Sequence, residues 1–212
     1  MKIKVVPVFS RREQRTEWVY KNYKEIFLNS KVLDVGCYEA PLRNIVGKES
    51  YTGVDFVGDP DVKINLEDIS VLPFADGDFE TVICVEVLEH LDNIHNLAKD
   101  LFRLSRKNVL ISLPNAWRDA RVKVERGRGE IAHYGLPLVR PYDRHKWFFN
   151  AEDAASFLGD IAPDGWSCEL ITTEPERSKV VMKLRRFRYS EWSYINRYCQ
   201  TVWAKYEFSL NE

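Results

Sequence analysis

Apolar residues recur along the chain at two periods. Over residues 13–28 they fall at helical spacing, with Trp18, Val19, Tyr23, Ile26 and Phe27 on one side, which predicts an opening helix. Short apolar runs follow at 32–35, 51–55, 81–85 and 109–113, with a weaker one at 62–65, and read as strands. Asp76-Gly77 marks a turn before the fourth run, and Pro114 stops the last. Residues 88–104 carry Leu88, Leu91, Ile94, Leu97, Leu101 and Leu104 on one helical face, closed by Arg103, Arg106 and Lys107 as the helix dipole favours. Strands alternating with helices imply an α/β fold with a mostly parallel sheet covered on both faces.

The later pattern is less regular. Residues 116–144 are rich in Arg and broken by Gly127, Gly129, Gly135, Pro137 and Pro141, an insert without clear periodicity. Asn150 is placed to cap a helix running to about 161, with Asp153 three positions on. Two late strands are expected at 168–172 and 180–184, joined through Glu174-Pro175-Glu176 as an antiparallel hairpin. The aromatic-dense tail, 187–208, reads as helical.

Composition narrows the function. The 212 residues fit one domain: an N-terminal helical segment (1–30), a core (31–184) holding the insert, and an aromatic extension (185–212). Thirty-one basic against 32 acidic residues exclude a chain-wide polycation. No apolar run approaches the roughly 20 residues that span a bilayer. Residues 1–10 are too short and polar for a signal peptide. Cys37, Cys84, Cys168 and Cys199 lack metal-knuckle or disulfide spacing, so a reducing cytoplasm is expected.

The strand ends carry the candidate chemistry. In open parallel sheets, ligands bind beyond the carboxyl ends of the strands. The first end reads Asp34-Val35-Gly36-Cys37-Tyr38-Glu39-Ala40-Pro41, where Gly36 permits a tight turn. Asp55 ends the next strand, 21 positions after Asp34, a spacing at which a carboxylate can accept both ribose hydroxyls. Together they favour a nucleoside-containing cofactor and leave NAD and S-adenosylmethionine open.

Three further strings carry a resemblance: Leu72-Pro73-Phe74-Ala75-Asp76-Gly77-Asp78-Phe79, then Val82-Ile83-Cys84-Val85-Glu86-Val87-Leu88-Glu89-His90, then Ile111-Ser112-Leu113-Pro114-Asn115. Over 31–184 the chain resembles class I S-adenosylmethionine-dependent methyltransferases, especially their small-molecule and glycan branch. The resemblance implies a Rossmann-like fold with a seven-stranded, mostly parallel sheet whose last strand is antiparallel. It implies that Asp34 reaches the methionine amino group and that Gly36, Cys37 and Tyr38 line methionine and ribose. Asp55 would bind the ribose hydroxyls, Phe56 flank the adenine, Asn65 and Leu66 read its edge, and Glu86 stand beside the methionine end. The family loop reads Gly-x-Gly-x-Gly, whereas Tyr38 and Ala40 replace the second and third glycines here.

Methyl transfer to oxygen or nitrogen can require a base. His145 follows the fifth strand, where the family builds its substrate wall, and is the expected base. Glu86, Glu89 and His90, with His145, also resemble the divalent-metal site of ubiquinone-biosynthesis and small-RNA 3′-end methyltransferases. The same string is widespread in metal-free relatives, so no metal is expected. The Arg-rich insert favours an anionic small-molecule or glycan-like acceptor. An RNA-directed 2′-O-methyltransferase and a non-catalytic scaffold are the alternatives. The aromatic tail is expected in the core or at a homodimer interface.

Overall fold

The computed structural model describes every residue except Ser10, Ser70, Arg140 and 210–212. In chain order it contains β1 (Lys2–Val6), α1 (Arg12–Asn22), α2 (Lys24–Phe27), β2 (Val32–Val35), α3 (Arg43–Val46), β3 (Tyr51–Asp55), β4 (Val62–Lys63) and β5 (Phe79–Val85). Then follow α4 (Ile94–Leu104), β6 (Ser105–Pro114), α5 (Ala116–Glu125), α6 (Ala151–Asp160), β7 (Trp166–Pro175), α7 (Lys179–Arg188), α8 (Glu191–Tyr198) and β8 (Thr201–Phe208). The strands form one sheet in the order β1-β7-β8-β6-β5-β2-β3-β4. Among the described residues, only β8 runs antiparallel to its neighbours.

Alternation along the strands builds two cores. Leu33, Val35, Val82, Cys84, Val109 and Ile111 pack with α4, α6 and α8. Val32, Ile83, Leu110 and Trp203 pack with α1 and α2 on the other face. The chain leaves β2 toward β3 and β4, then returns to pair β5 on the other side of β2. The topological switch therefore lies between β2 and β5, and a crevice opens beyond their carboxyl ends. The Leu-Pro-Phe segment is clamped to α4: Leu72 N–H donates to Asp100, and Arg103 donates to the Leu72 and Phe74 carbonyls. The expected cap of α6 is a full capping box of Asn150 and Asp153.

Several expectations are corrected. The sheet has eight strands rather than seven, because the alternating Lys2–Val6 pairs with β7 instead of joining a helical segment. Residues 13–28 divide into α1 and α2, and 88–104 begins with a 3-10 turn, Leu88–His90, before α4. The insert opens with a helix, α5. Residues 180–184 are helical, within α7, and expose Val180 and Leu184. The antiparallel strand comes later, as β8, so the described part of the expected extension is no appendage: β8 lies inside the sheet, between β6 and β7. An apolar run buried on both faces hides its alternation, which is why 201–208 reads as helix as easily as strand. Trp203, Tyr206 and Tyr194 are core residues, the first of the two placements expected for the aromatic tail. No helix of the described residues is long and apolar enough to cross a membrane.

Candidate active site at the switch point

The loop after β2 turns at Gly36, whose φ is +81°; a Cβ there would lie 2.2 Å from Val87 Cγ2. The Gly36 and Cys37 N–H groups both donate to the Val54 carbonyl. Tyr38 and Ala40 adopt φ of +52° and +49°, the left-handed conformation that glycine adopts without strain. The loop thus keeps a glycine-like backbone with two non-glycine residues in it. The Tyr38 ring is turned outward, and the Arg12 guanidinium lies 4.9 Å from its centroid.

Asp34 is buried and accepts a 2.7 Å hydrogen bond from the Tyr51 hydroxyl. Burial pushes its carboxyl up to about 6, against the opposing pull of that hydrogen bond. Asp55 is also buried, and it accepts from three backbone N–H groups: Tyr38 at 2.8 Å, Phe56 at 2.7 Å and Val57 at 3.2 Å. The Phe56 ring lies 6.5 Å from Tyr142. The Asp55 carbonyl holds Ile64 N–H at 2.9 Å, which sets Asn65 and Leu66 just past the end of β4. Leu66 is buried, whereas Asn65 is exposed and bonds within its own turn, to Asp68 and to Glu67 N–H.

Glu86, at the end of β5, has a positive φ of +53°. Arg15 of α1 donates to one of its carboxylate oxygens, and the Thr201 hydroxyl donates to the other at 3.0 Å. Burial and the neighbouring Arg12 charge pull the Arg15 guanidinium down to about 10. Glu86 is therefore engaged by α1 and β8; it lines the same cavity as His90 and His145 but is not among the ligating atoms that converge there.

Glu89, His90 and His145 do converge. One ligating atom from each lies within 4.8 Å of the others. Backbone bonds bring the insert to the 3-10 turn: Lys146 N–H donates to the Glu89 carbonyl at 2.9 Å, and His145 N–H to that of His133 at 3.1 Å. His90 Nδ1 faces the Arg144 carbonyl at 3.3 Å, which can only accept, so Nδ1 carries the proton. His145 Nδ1 faces the Tyr134 hydroxyl at 3.3 Å. That hydroxyl spends its proton on the Trp147 carbonyl at 2.7 Å, so His145 Nδ1 is a donor too. Both neutral imidazoles consequently keep an Nε2 lone pair, and both Nε2 atoms lie 4.0 Å from Glu89 Oε1. Glu89 Oε2 is buried without a hydrogen-bond partner among the described residues. Burial pushes the Glu89 carboxyl up to about 8. Burial and the adjacent His90 and His133 push His145 down to about 3, and burial also lowers His90.

A cavity of about 440 Å³ opens over this cluster, walled by Arg11, Arg12, Arg15, Arg118, Glu86 and His133. A smaller one, about 40 Å³, lies beside it, between α1 and Asp34, Gly36 and Cys37. Arg11, the α1 arginines Arg12 and Arg15, and His133 of the insert receive no role from the sequence alone. The spacing Arg11-Arg12-x-x-Arg15 puts charges on one helical turn, a signal that also fits a solvated face. His133, in irregular chain at φ +64°, stacks on His145 at 4.4 Å with no local signal to announce it.

A methyltransferase-domain family model matches residues 10–160. The chain belongs to the class I S-adenosylmethionine-dependent methyltransferases. Solved methyltransferases share the fold at low identity. An S-adenosylmethionine-dependent methyltransferase from Archaeoglobus fulgidus is 17% identical with a TM-score of 0.62, covering 94% of this chain and 96% of that one. The methyltransferase domain of bacterial CtHen1-C is 19% identical at TM-score 0.58, covering 93% and 98%. The magnesium protoporphyrin IX methyltransferase of Synechocystis PCC 6803, solved with bound S-adenosylhomocysteine, is 16% identical at TM-score 0.53, covering 92% and 80%. No curated protein matches the sequence. The cofactor of this methyltransferase is S-adenosylmethionine.

Proposed function

We propose that this methyltransferase transfers its cofactor's methyl group to an oxygen or nitrogen of an anionic small-molecule or glycan-like acceptor seated in the 440 Å³ cavity. The observation that carries the reading is the composition of that cavity, where Arg11, Arg12 and Arg118 surround the Glu89–His90–His145 cluster at the sheet's switch point. The cofactor, when bound, supplies an activated methyl group on a sulfonium. The chain's own residues fit it. Asp34, ionised at neutral pH even with its raised value, faces the same small cavity as Arg12, so opposite charges await the two ends of an amino-acid zwitterion. Asp55 is the ribose acceptor, Phe56 and Leu66 flank the base, and Asn65 stands at its edge. Glu86 holds Arg15 over the methionine end. His145, neutral and with a fixed Nε2 lone pair, receives the acceptor's proton and relays it to the facing Glu89 carboxylate, whose raised value makes it the stronger proton acceptor of the two.

The test is S-adenosylhomocysteine formation from labelled cofactor across phosphorylated, carboxylated and neutral acceptors. Glu89→Gln and His145→Ala should each lower turnover about 10²-fold or more, with S-adenosylhomocysteine affinity within twofold of wild type. Full turnover in both variants would remove the cluster from the reaction.

A second reading has its own observation. Two imidazole Nε2 lone pairs and a buried carboxylate with an orphaned oxygen converge, a donor set that suits a divalent cation such as manganese or magnesium. Glu89, His90 and His145 would hold it, and it would supply positive charge to orient an acceptor hydroxyl. An RNA 2′-hydroxyl belongs to this reading. Manganese binding by calorimetry, lost at least tenfold in Glu89→Gln, supports it; absence of binding by the wild type overturns it.

A further inference from the structure

Behind α5 lies a second basic cavity of about 280 Å³, lined by Arg118, Arg121, Arg177, Arg185 and Arg197 around Tyr198. We infer that this cavity binds phosphate groups, and that they belong to the acceptor whose reacting atom sits in the active-site cavity. The second half rests on the proposed function; the first does not.

Charge comes first. The whole chain is balanced at −1, yet five guanidiniums gather here. Asp119 takes Arg118, and Glu125 is shared by Arg121 at 3.1 Å and Arg197 at 3.6 Å. Glu174, the other carboxylate of the wall, is already engaged by Arg186 and the Tyr194 hydroxyl. Arg185 makes no ion pair among the described residues, and Arg177 donates only to its neighbour's carbonyl, at Glu176. Positive charge is left over in a concave site.

Preorganisation comes second. Arg185 lies over the Tyr198 ring at 4.3 Å and Arg121 at 5.5 Å. The ring holds the Arg185 guanidinium in place while its side chain makes no hydrogen bond or ion pair among the described residues, so its N–H donors stay free for phosphate oxygens. Arg121 Nε is buried and has no hydrogen-bond partner among the described residues. The tyrosine-rich tail thus serves as a rack for arginines as well as core packing.

Continuity comes third. Arg118 and Asp119 line both this cavity and the active-site cavity. These two α5 side chains border both cavities, so an acceptor that reaches Arg118 from the histidine cluster can extend its charged groups toward the second cavity.

Tripolyphosphate is the probe. Calorimetry at low salt should show binding to the wild-type protein, weakened at least tenfold in Arg177→Gln/Arg185→Gln and unchanged in Lys63→Gln, an exposed cation at β4. Arg185→Glu should abolish it. Binding unaffected by these arginine substitutions, or no binding by the wild type, overturns the site. S-adenosylhomocysteine affinity, measured on the same samples, should not move; its absence in the wild type would sink the proposed function while leaving the phosphate site standing. A hexauridylate that displaces tripolyphosphate assigns the phosphates to a nucleic-acid end, and failure to displace assigns them to a small phosphorylated acceptor; either supports the site. In a turnover assay, the double variant should raise KM for a phosphorylated acceptor at least tenfold and leave kcat within twofold. Unchanged KM for every phosphorylated acceptor overturns the link to the acceptor.

Discussion

Arg15 in α1 donates to the carboxylate of Glu86, 71 positions later at the end of β5. The pair pins the opening helix over the switch point, where it forms one wall of both cavities. The side chains are 20% and 23% exposed, between a fully buried and a surface ion pair. Removing one partner of a buried pair costs about 3–5 kcal/mol, and an exposed pair contributes about 0–1. Arg15→Met should therefore destabilise the fold by about 2 kcal/mol. A double-mutant cycle with Glu86→Gln, followed by urea unfolding, should show coupling of at least about 1 kcal/mol. Additive losses would mean that the pair does not clamp the helix.

Gly36 and Gly47 both have positive φ, +81° and +92°, but their surroundings differ. A Cβ at Gly47 meets nothing within 4 Å, whereas one at Gly36 would drive into Val87. Alanine at 47, where φ +92° and ψ 141° fall in a region kept for glycine, carries backbone strain alone, about 1–3 kcal/mol. Alanine at 36 adds a steric clash, and overpacking costs about 1–3 kcal/mol more. Chemical denaturation should rank Gly36→Ala clearly below Gly47→Ala. Equal losses would show that the loop yields freely around Val87.

The buried Asp34 makes stability depend on pH. Its folded-state value, about 6, lies above its ordinary 3.8, so the folded protein holds this proton more tightly than the unfolded chain. That contribution is complete below about pH 4 and is lost as pH rises through about 6. Asp34→Asn cannot ionise and escapes the loss. Its stability relative to wild type should rise between pH 4 and 8, by up to about 3 kcal/mol, in cofactor-free protein. A pH-independent difference would show that Asp34 does not titrate above its ordinary range. Cofactor affinity should move the other way, because the variant lacks the charge opposite the methionine ammonium.

Legibility in the sequence followed how local each signal is. The central strands are readable because burial on both faces demands apolar runs, as in Val82-Ile83-Cys84-Val85 of β5. Asn150 and Asp153 were readable because a capping box needs only four consecutive residues. In the last third the local pattern is ambiguous. Val180, Val181 and Leu184 look like a strand until the helix places Arg185 and Arg186 against Tyr198 and Tyr194. The switch-point carboxylates were legible from strand ends, but the partners that set their chemistry were not. Arg15 reaches Glu86, and His133 stacks on His145, only through tertiary placement.

Asp55 carries the last prediction, because its carboxylate does two jobs. An ionised carboxylate offers about four lone-pair sites. Three already accept from Tyr38, Phe56 and Val57 N–H groups, the last being the longest at 3.2 Å. Two ribose hydroxyls need two sites, so cofactor binding displaces one backbone donor, and Val57 is the weakest held. Asp55→Ala removes every site at once. It should weaken S-adenosylhomocysteine binding by about 3–6 kcal/mol, the sum of two charge-assisted hydrogen bonds of about 1.5–3 each. It should also lower the thermal midpoint of the cofactor-free protein, because three partly buried N–H groups lose their acceptor. Asp55→Asn keeps one oxygen for the backbone and should restore most of the midpoint while leaving affinity at least tenfold down. Calorimetry and thermal unfolding on the same two variants separate the roles. Wild-type affinity in Asp55→Ala would remove the ribose role, and an unchanged midpoint would show that the loop between β3 and β4 does not depend on this carboxylate.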